Sequence, residues 1–263
     1  MRGRVIPLSL PKRWVIDMLH FACSIPTVPV QKRILVPELV AARATSLERL
    51  RWTAIFTKAY ALTAQEFPEL RRAYVKIPWP HLYEFSTSKA CIIVERDYQG
   101  EAAIWPLLIK DPALRPLSDI SRELEYVATA PLEQIKDFRR CLLLTRLPRP
   151  VRRMLWWTGL NIGRQRGNYF GTFVLSVYSA LKVESLHPLS PLTTMLNYGV
   201  LSTDGALDVR IIYDHRVMNG ATVARALGRL EQILNTDILN EIREQLPRTE
   251  VSGSRYSGAL IRR

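Results

Sequence analysis

Cysteine is scarce in this chain: only Cys23, Cys91 and Cys141 occur in 263 residues. An odd number at wide spacing excludes a disulfide framework and a clustered zinc site, and suits a reducing compartment. Long apolar runs are missing as well, and none approaches the roughly 20 residues that a membrane-spanning helix needs. Behind the basic start Met1-Arg2-Gly3-Arg4, the apolar stretches are broken by Pro7, Pro11, Lys12 and Arg13, which leaves no signal-peptide core. There is no Gly/Ser linker and no internal repeat, so a single cytoplasmic α/β domain is the economical expectation. Acidic residues are outnumbered, 24 against 37 Lys and Arg, and the net charge of +13 asks for an anionic partner. Phosphate-bearing cofactors, acidic carrier proteins and membrane surfaces meet that demand. Nucleic acid is not expected, because no recognition fold for it is visible.

What is present reads as alternating helices and strands. The spacing predicts helices over Pro11–Ile25, Glu38–Ala44, Leu50–Phe67, Leu117–Thr129, Leu132–Arg140 and Ala221–Leu234, with a further one near Ile238–Leu246. Strands are predicted over Val30–Val36 and Gly171–Tyr178. Two hairpins are expected, Ala90–Glu95 with Ala102–Leu108, and Leu196–Leu201 with Leu207–Tyr213 through an Asp204-Gly205 turn. The polar, basic residues 247–263 read as a mobile tail. Between Arg139 and Phe170 stand eight arginines and no acidic residue, interleaved with leucines, Trp156 and Trp157. This segment is a candidate surface for an acceptor, a carrier protein or a membrane, with Arg149, Arg152, Arg153, Trp156 and Trp157 as its contacts. Cys141, beside Arg139 and Arg140, is placed for a lowered pKa, but no histidine accompanies it as a nucleophile's partner.

Of the four histidines, His215 alone has a setting for chemistry. Asp208–Tyr213 alternates as a half-buried strand, Gly220 closes a tight turn, and Val223, Leu227, Leu230 and Leu234 recur at helical spacing. A histidine held by backbone on both sides can aim one ring nitrogen at a ligand. His20, His81 and His187 read as structural or surface residues, with His187 in a loop that could line a pocket.

The run Tyr213-Asp214-His215-Arg216-Val217-Met218-Asn219-Gly220 resembles the signature of the 2-oxoacid dehydrogenase acyltransferases and the chloramphenicol acetyltransferases: histidine, three residues, Asp or Asn, glycine. Ile6-Pro7-Leu8-Ser9, Phe67-Pro68-Glu69-Leu70 and Gly171-Thr172-Phe173-Val174-Leu175-Ser176 resemble other segments of that family's core, in the same order. The resemblance implies an acyltransferase catalytic domain over residues 1–246, a two-layer α/β sandwich with a mixed sheet and helices on one face. It implies a homotrimer or a multiple of trimers, with the active site at the subunit interface. His215 would be the general base and Ser176 the oxyanion donor from a neighbouring subunit. Asn219 stands in the motif's Asp/Asn position, with Asp214, Arg216 and Gly220 supporting the site. A coenzyme A or carrier-protein thioester would be the acyl donor, with no metal. With no lipoyl domain expected on this chain, a stand-alone acyltransferase acting on a hydroxyl, thiol or amine follows, in the cytoplasm or peripheral to a membrane. Residues 139–168 have no counterpart in the resemblance. The alternative is a catalytically silent oligomeric scaffold that keeps the fold.

Overall fold

The computed structural model describes residues 3–48, 50–177 and 183–244. Helix α1 (Leu10–Ala22) starts where Ser9 accepts a hydrogen bond from the Lys12 amide, with Pro11 in the first turn, where its missing N–H costs nothing. Strand β1 (Thr27–Leu35), α2 (Pro37–Thr45) and α3 (Trp52–Glu66) follow. A small ribbon of β2 (Arg72–Val75) and β3 (His81–Glu84) then precedes β4 (Lys89–Tyr98) and β5 (Glu101–Lys110). The β4–β5 turn is tight because Gln99 and Gly100 both take positive φ, 56° and 81°, which matches the twist of the strands it joins. Next come α4 (Leu117–Thr129), α5 (Lys136–Arg146), α6 (Arg149–Asn161), α7 (Gly163–Tyr169), β6 (Phe173–Leu175), β7 (Thr194–Tyr198), β8 (Ala206–Asp214), α8 (Gly220–Ile233) and α9 (Leu239–Glu244).

Six strands form one mixed sheet in the order β1-β8-β7-β6-β4-β5. The β4–β6 and β6–β7 pairs are parallel and the others antiparallel. One face carries Phe173, Thr194, Tyr198 and Ile211 and packs on α3 and α8: Tyr60 stacks near Phe173 and donates to Thr194 Oγ1 at 2.7 Å, and Phe56 stacks on Tyr198. Burial pushes the Tyr60 phenol well above its usual pKa. The α/β sandwich with a mixed sheet is therefore as expected. Over the β4–β6 part of the opposite face, α1 and α5–α7 close a separate lid of helices, in which Trp14, Phe21 and Phe170 surround Trp156.

Several expectations are corrected. Residues 132–140 are not one helix: a 3-10 turn at Leu132–Gln134 gives way to extended Ile135, and α5 starts at Lys136. The strand expected over Gly171–Tyr178 is only Phe173–Leu175, and it starts late because Gly171 takes a φ of 91°, outside the strand region; Tyr178 lies outside the described residues. The surface assigned to residues 139–168 is split. Arg152 and Trp156 are buried, and Arg153 is largely so, because both arginines turn inward to Asp17 of α1 at 2.6 and 2.7 Å. Arg149 and Trp157 are exposed. Burial also overrides the neighbouring arginines at Cys141, whose thiol pKa is raised rather than lowered. The tail 247–263 and the end of the last helix, residues 245 and 246, lie outside the described residues.

Candidate active site

His215 follows the last residue of β8. Sheet-like bonds still hold the backbone on both sides, Asp214 N–H to Thr193 O at 2.8 Å and His215 N–H to Pro26 O at 3.1 Å, and the chain then turns, Val217 N–H bonding Asp214 O at 3.0 Å. Asp214 is buried and accepts from the backbone and the guanidinium of Arg216, at 3.0, 2.9 and 2.7 Å. That ion pair holds Arg216 above its usual pKa and lays its guanidinium 4.5 Å over the Tyr74 ring. Asp214 and Arg216 thus brace the turn on both sides of the histidine. Asn219 caps α8: its Oδ1 accepts from the Thr222 amide at 3.0 Å and the Thr222 hydroxyl at 3.1 Å. A Cβ at Gly220 would approach Tyr213 Oη to 3.3 Å, so glycine eases the close passage of helix start over strand. The His215 ring stands exposed, 5.6 Å from the Tyr213 ring centre. His187 lies at the same end of the sheet, its Nε2 2.9 Å from the hydroxyl of Thr27, the strand partner of Asp214.

Ser176 sits just past β6, buried, and its backbone is clamped. Its amide bonds Leu196 O at 3.2 Å and its carbonyl accepts from Asn197 Nδ2 at 2.7 Å. Behind it, Asn197 is opposite Arg210 in the β7–β8 register. Arg210 reaches Gln31 at 2.5 Å and Glu184 at 2.7 Å, and this holds Glu184 below the usual carboxylate pKa. Neither Asn197, Arg210 nor Glu184 stood out in the sequence, because strand pairing joins the first two and a loop brings the third to them. The nearest available signal was Asn197 and Arg210, polar residues inside two largely apolar strands.

Within one chain Ser176 and His215 are not brought together. Ser176 lies beside Asn197, whose partner is Arg210, while His215 is five residues further along and two strands across. Strand rise and spacing put them on the order of 15 Å or more apart.

Ser176 also lines a cavity of about 710 Å³ between the sheet and the helical lid. Cys91, Ile93, Ile104, Pro106, Leu108 and Val174 form its floor, and α1, α5, α6 and α7 its roof. Register pairs Cys91 with both Leu108 and Val174, so these residues share one face. Burial pushes the Cys91 thiol up to about 12, which leaves an inert apolar lining. Arg166, buried in α7, donates to Leu160 O and Pro191 O and ties the lid to the loop before β7; burial lowers its pKa to about 10. His215 does not line this cavity. Among the described residues there is no group of three or more His, Cys, Asp or Glu side chains able to hold a metal.

No protein-family profile matches the chain, and no curated protein matches it by sequence. Solved structures do match. A dihydrolipoamide acetyltransferase from Azotobacter vinelandii, studied for the roles of a serine, a histidine and an asparagine in catalysis, superposes with a TM-score of 0.65 at 17% identity, over 90% of this chain and 94% of that one. The cubic core of a pyruvate dehydrogenase multienzyme complex gives 0.63 at 17% identity, over 90% and 94%. A chloramphenicol acetyltransferase gives 0.54 at 11% identity, over 89% of this chain and 100% of that one. The fold is the chloramphenicol acetyltransferase-like fold. In that fold His215 terminates an inner strand of the large sheet, between β1 on one side and β7 on the other.

Proposed function

We propose that this protein is an acyltransferase that moves an acyl group from a coenzyme A or carrier-protein thioester to a hydroxyl, thiol or amine. The observation that carries the reading is the braced turn at the end of β8: His215 presented by Asp214 and Arg216, with Asn219 four residues on as the cap of α8. The histidine and asparagine studied in the Azotobacter enzyme are also four residues apart. In the proposed reaction, neutral His215 takes the proton from the acceptor as its heteroatom bonds the thioester carbonyl carbon. The Ser176 hydroxyl donates to the oxygen that becomes negative. The tetrahedral intermediate then expels the thiolate as the C–S bond breaks, and the imidazolium returns the proton to that sulfur. Because Ser176 and His215 of one chain are far apart, the pair is made between two copies, in a homotrimer or a multiple of trimers. Support for assembly comes from the matched multienzyme core.

A second surface follows from the exposed side of α5 and α6. Leu143, Met154 and Trp157 are exposed there among Arg139, Arg146 and Arg149. We propose that this face rests on an anionic lipid surface, arginines toward the headgroups and apolar side chains into the boundary. No described helix is long and apolar enough to cross a membrane, so contact would be peripheral.

The direct test is to incubate the protein with acyl-CoA thioesters and representative alcohols, thiols and amines, following release of free coenzyme A thiol. Acceptor-dependent release that His215→Ala abolishes is expected. Equal release by the variant, or none with any pair, would leave an oligomeric scaffold.

A further inference from the structure

We infer that the cavity beneath the α1/α5–α7 lid is an acyl-chain site, so that the group transferred is a long apolar acyl chain rather than acetyl. The inference uses the proposed acyl transfer only to place the reacting carbonyl. A thioester carbonyl carbon bears three things: an oxygen, a sulfur and the acyl chain. If Ser176 meets the oxygen, the chain starts at Ser176, and the space that Ser176 opens into within its own subunit is this cavity. The nucleophile must approach the His215 of the neighbouring copy, which in the proposed pairing meets Ser176 from outside this subunit. The interior behind Ser176, within its own subunit, is therefore left to the chain.

Size and lining agree. At about 710 Å³ the cavity holds on the order of twenty water-sized groups at roughly 30 Å³ each, which a two-carbon acyl group would leave nearly empty. Trp14, Met18, Ile104, Leu144, Trp156 and Val174 supply an apolar wall, which favours burying methylenes and offers little to a polar ligand. The roof helices are tied to one another and to the sheet: Asp17 of α1 holds Arg152 and Arg153 of α6, Trp156 packs between Trp14 and Phe170, and Arg166 holds the loop before β7. The arginine-rich segment thus builds the roof, with its buried arginines as struts.

The test separates binding from turnover. The full-length protein is titrated with fatty acids of two to sixteen carbons and with bromine-labelled long-chain fatty acids, whose heavy atom quenches indole fluorescence on contact. Trp14 and Trp156 line the cavity and report occupancy. Affinity should rise about fourfold per added methylene until the cavity is full, with saturable quenching by the brominated chains. Leu144→Phe, which fills part of the space, should shift the preferred length to shorter chains; Ile104→Phe from the floor is the second variant should the first misfold. In parallel, acyl-CoA turnover is measured across the same lengths. Saturable quenching with length-dependent affinity, shortened by the filling variants, supports the site even where no thioester is turned over, in which case acyl transfer alone fails. Turnover of acetyl-CoA without any saturable chain binding, or binding unaltered by both variants, overturns the acyl-chain site and leaves acyl transfer standing.

Discussion

His215 and Asn219 divide one turn between them, and substitutions should separate their roles. His215 is exposed and, among the described residues, hydrogen-bonded through its backbone alone, so His215→Ala should leave thermal stability unchanged and cut acyl transfer about 10²–10⁴-fold. Asn219 is a helix cap before anything else. Asn219→Ala should cost about 1 kcal/mol of unfolding free energy, and Asn219→Asp should retain it, since either acceptor serves the α8 amides and a carboxylate suits the helix N-terminus. Denaturant titration checks both. Ser176 makes its contacts through its amide and carbonyl; Ser176→Ala should therefore fold normally and lower turnover about 10²–10³-fold. His215 and Asn219 were legible because their motif is local: histidine, asparagine cap and glycine lie within one turn, whereas Ser176 was named only by the resemblance of Gly171–Ser176 to a family segment. Asn197, Arg210 and Glu184 were not legible, because a strand pairing and a loop join them across the sheet.

Elements meet through a few polar ties, and two of them make predictions. Asp17 on α1 holds Arg152 and Arg153 on α6, with Asp17 and Arg152 almost fully buried. Asp17→Ala strands Arg152 without its carboxylate and should cost about 3–5 kcal/mol, far more than an exposed pair. Equilibrium unfolding of the variant measures it. Glu184, paired to Arg210, has a folded pKa below its unfolded one. Its stabilisation is thus fully present above the unfolded pKa, about 4.3, and is lost as pH falls through the depressed folded value. Glu184→Gln should flatten the acid limb of a melting-temperature profile, with its effect vanishing only below the depressed folded pKa, where Glu184 is protonated and both side chains are neutral. At this scale α3, α4 and both hairpins followed from periodicity and turn residues. The lid did not: α6 and α7 are too rich in arginine for an apolar stripe to reveal which face turns inward, and only distant partners explain the inward arginines, Asp17 for Arg152 and Arg153 and the Pro191 carbonyl for Arg166.

For the molecule as a whole, the net charge of +13 predicts binding to vesicles containing anionic lipid, weakening as salt shortens the Debye length from about 10 Å at 0.1 M. Replacing exposed Arg149 with Glu and Trp157 with Ala should reduce co-sedimentation with such vesicles; retention by neutral vesicles at high salt would contradict an electrostatic contact. The proposed Ser176–His215 pairing across copies predicts an assembly of three chains or a multiple, measurable by sedimentation. By itself, the sequence determined the sheet-and-helix layering, the turn that presents His215 and the basic character of residues 139–168, because periodicity, capping and charge are local properties of the chain. Tertiary structure decided the rest. It clamped Ser176 behind Asn197, separated it from His215 within one chain, and turned part of the arginine-rich segment into the struts of a cavity roof. Those outcomes depend on strand register and on one buried carboxylate from a distant helix, and neither is written in any neighbouring residue.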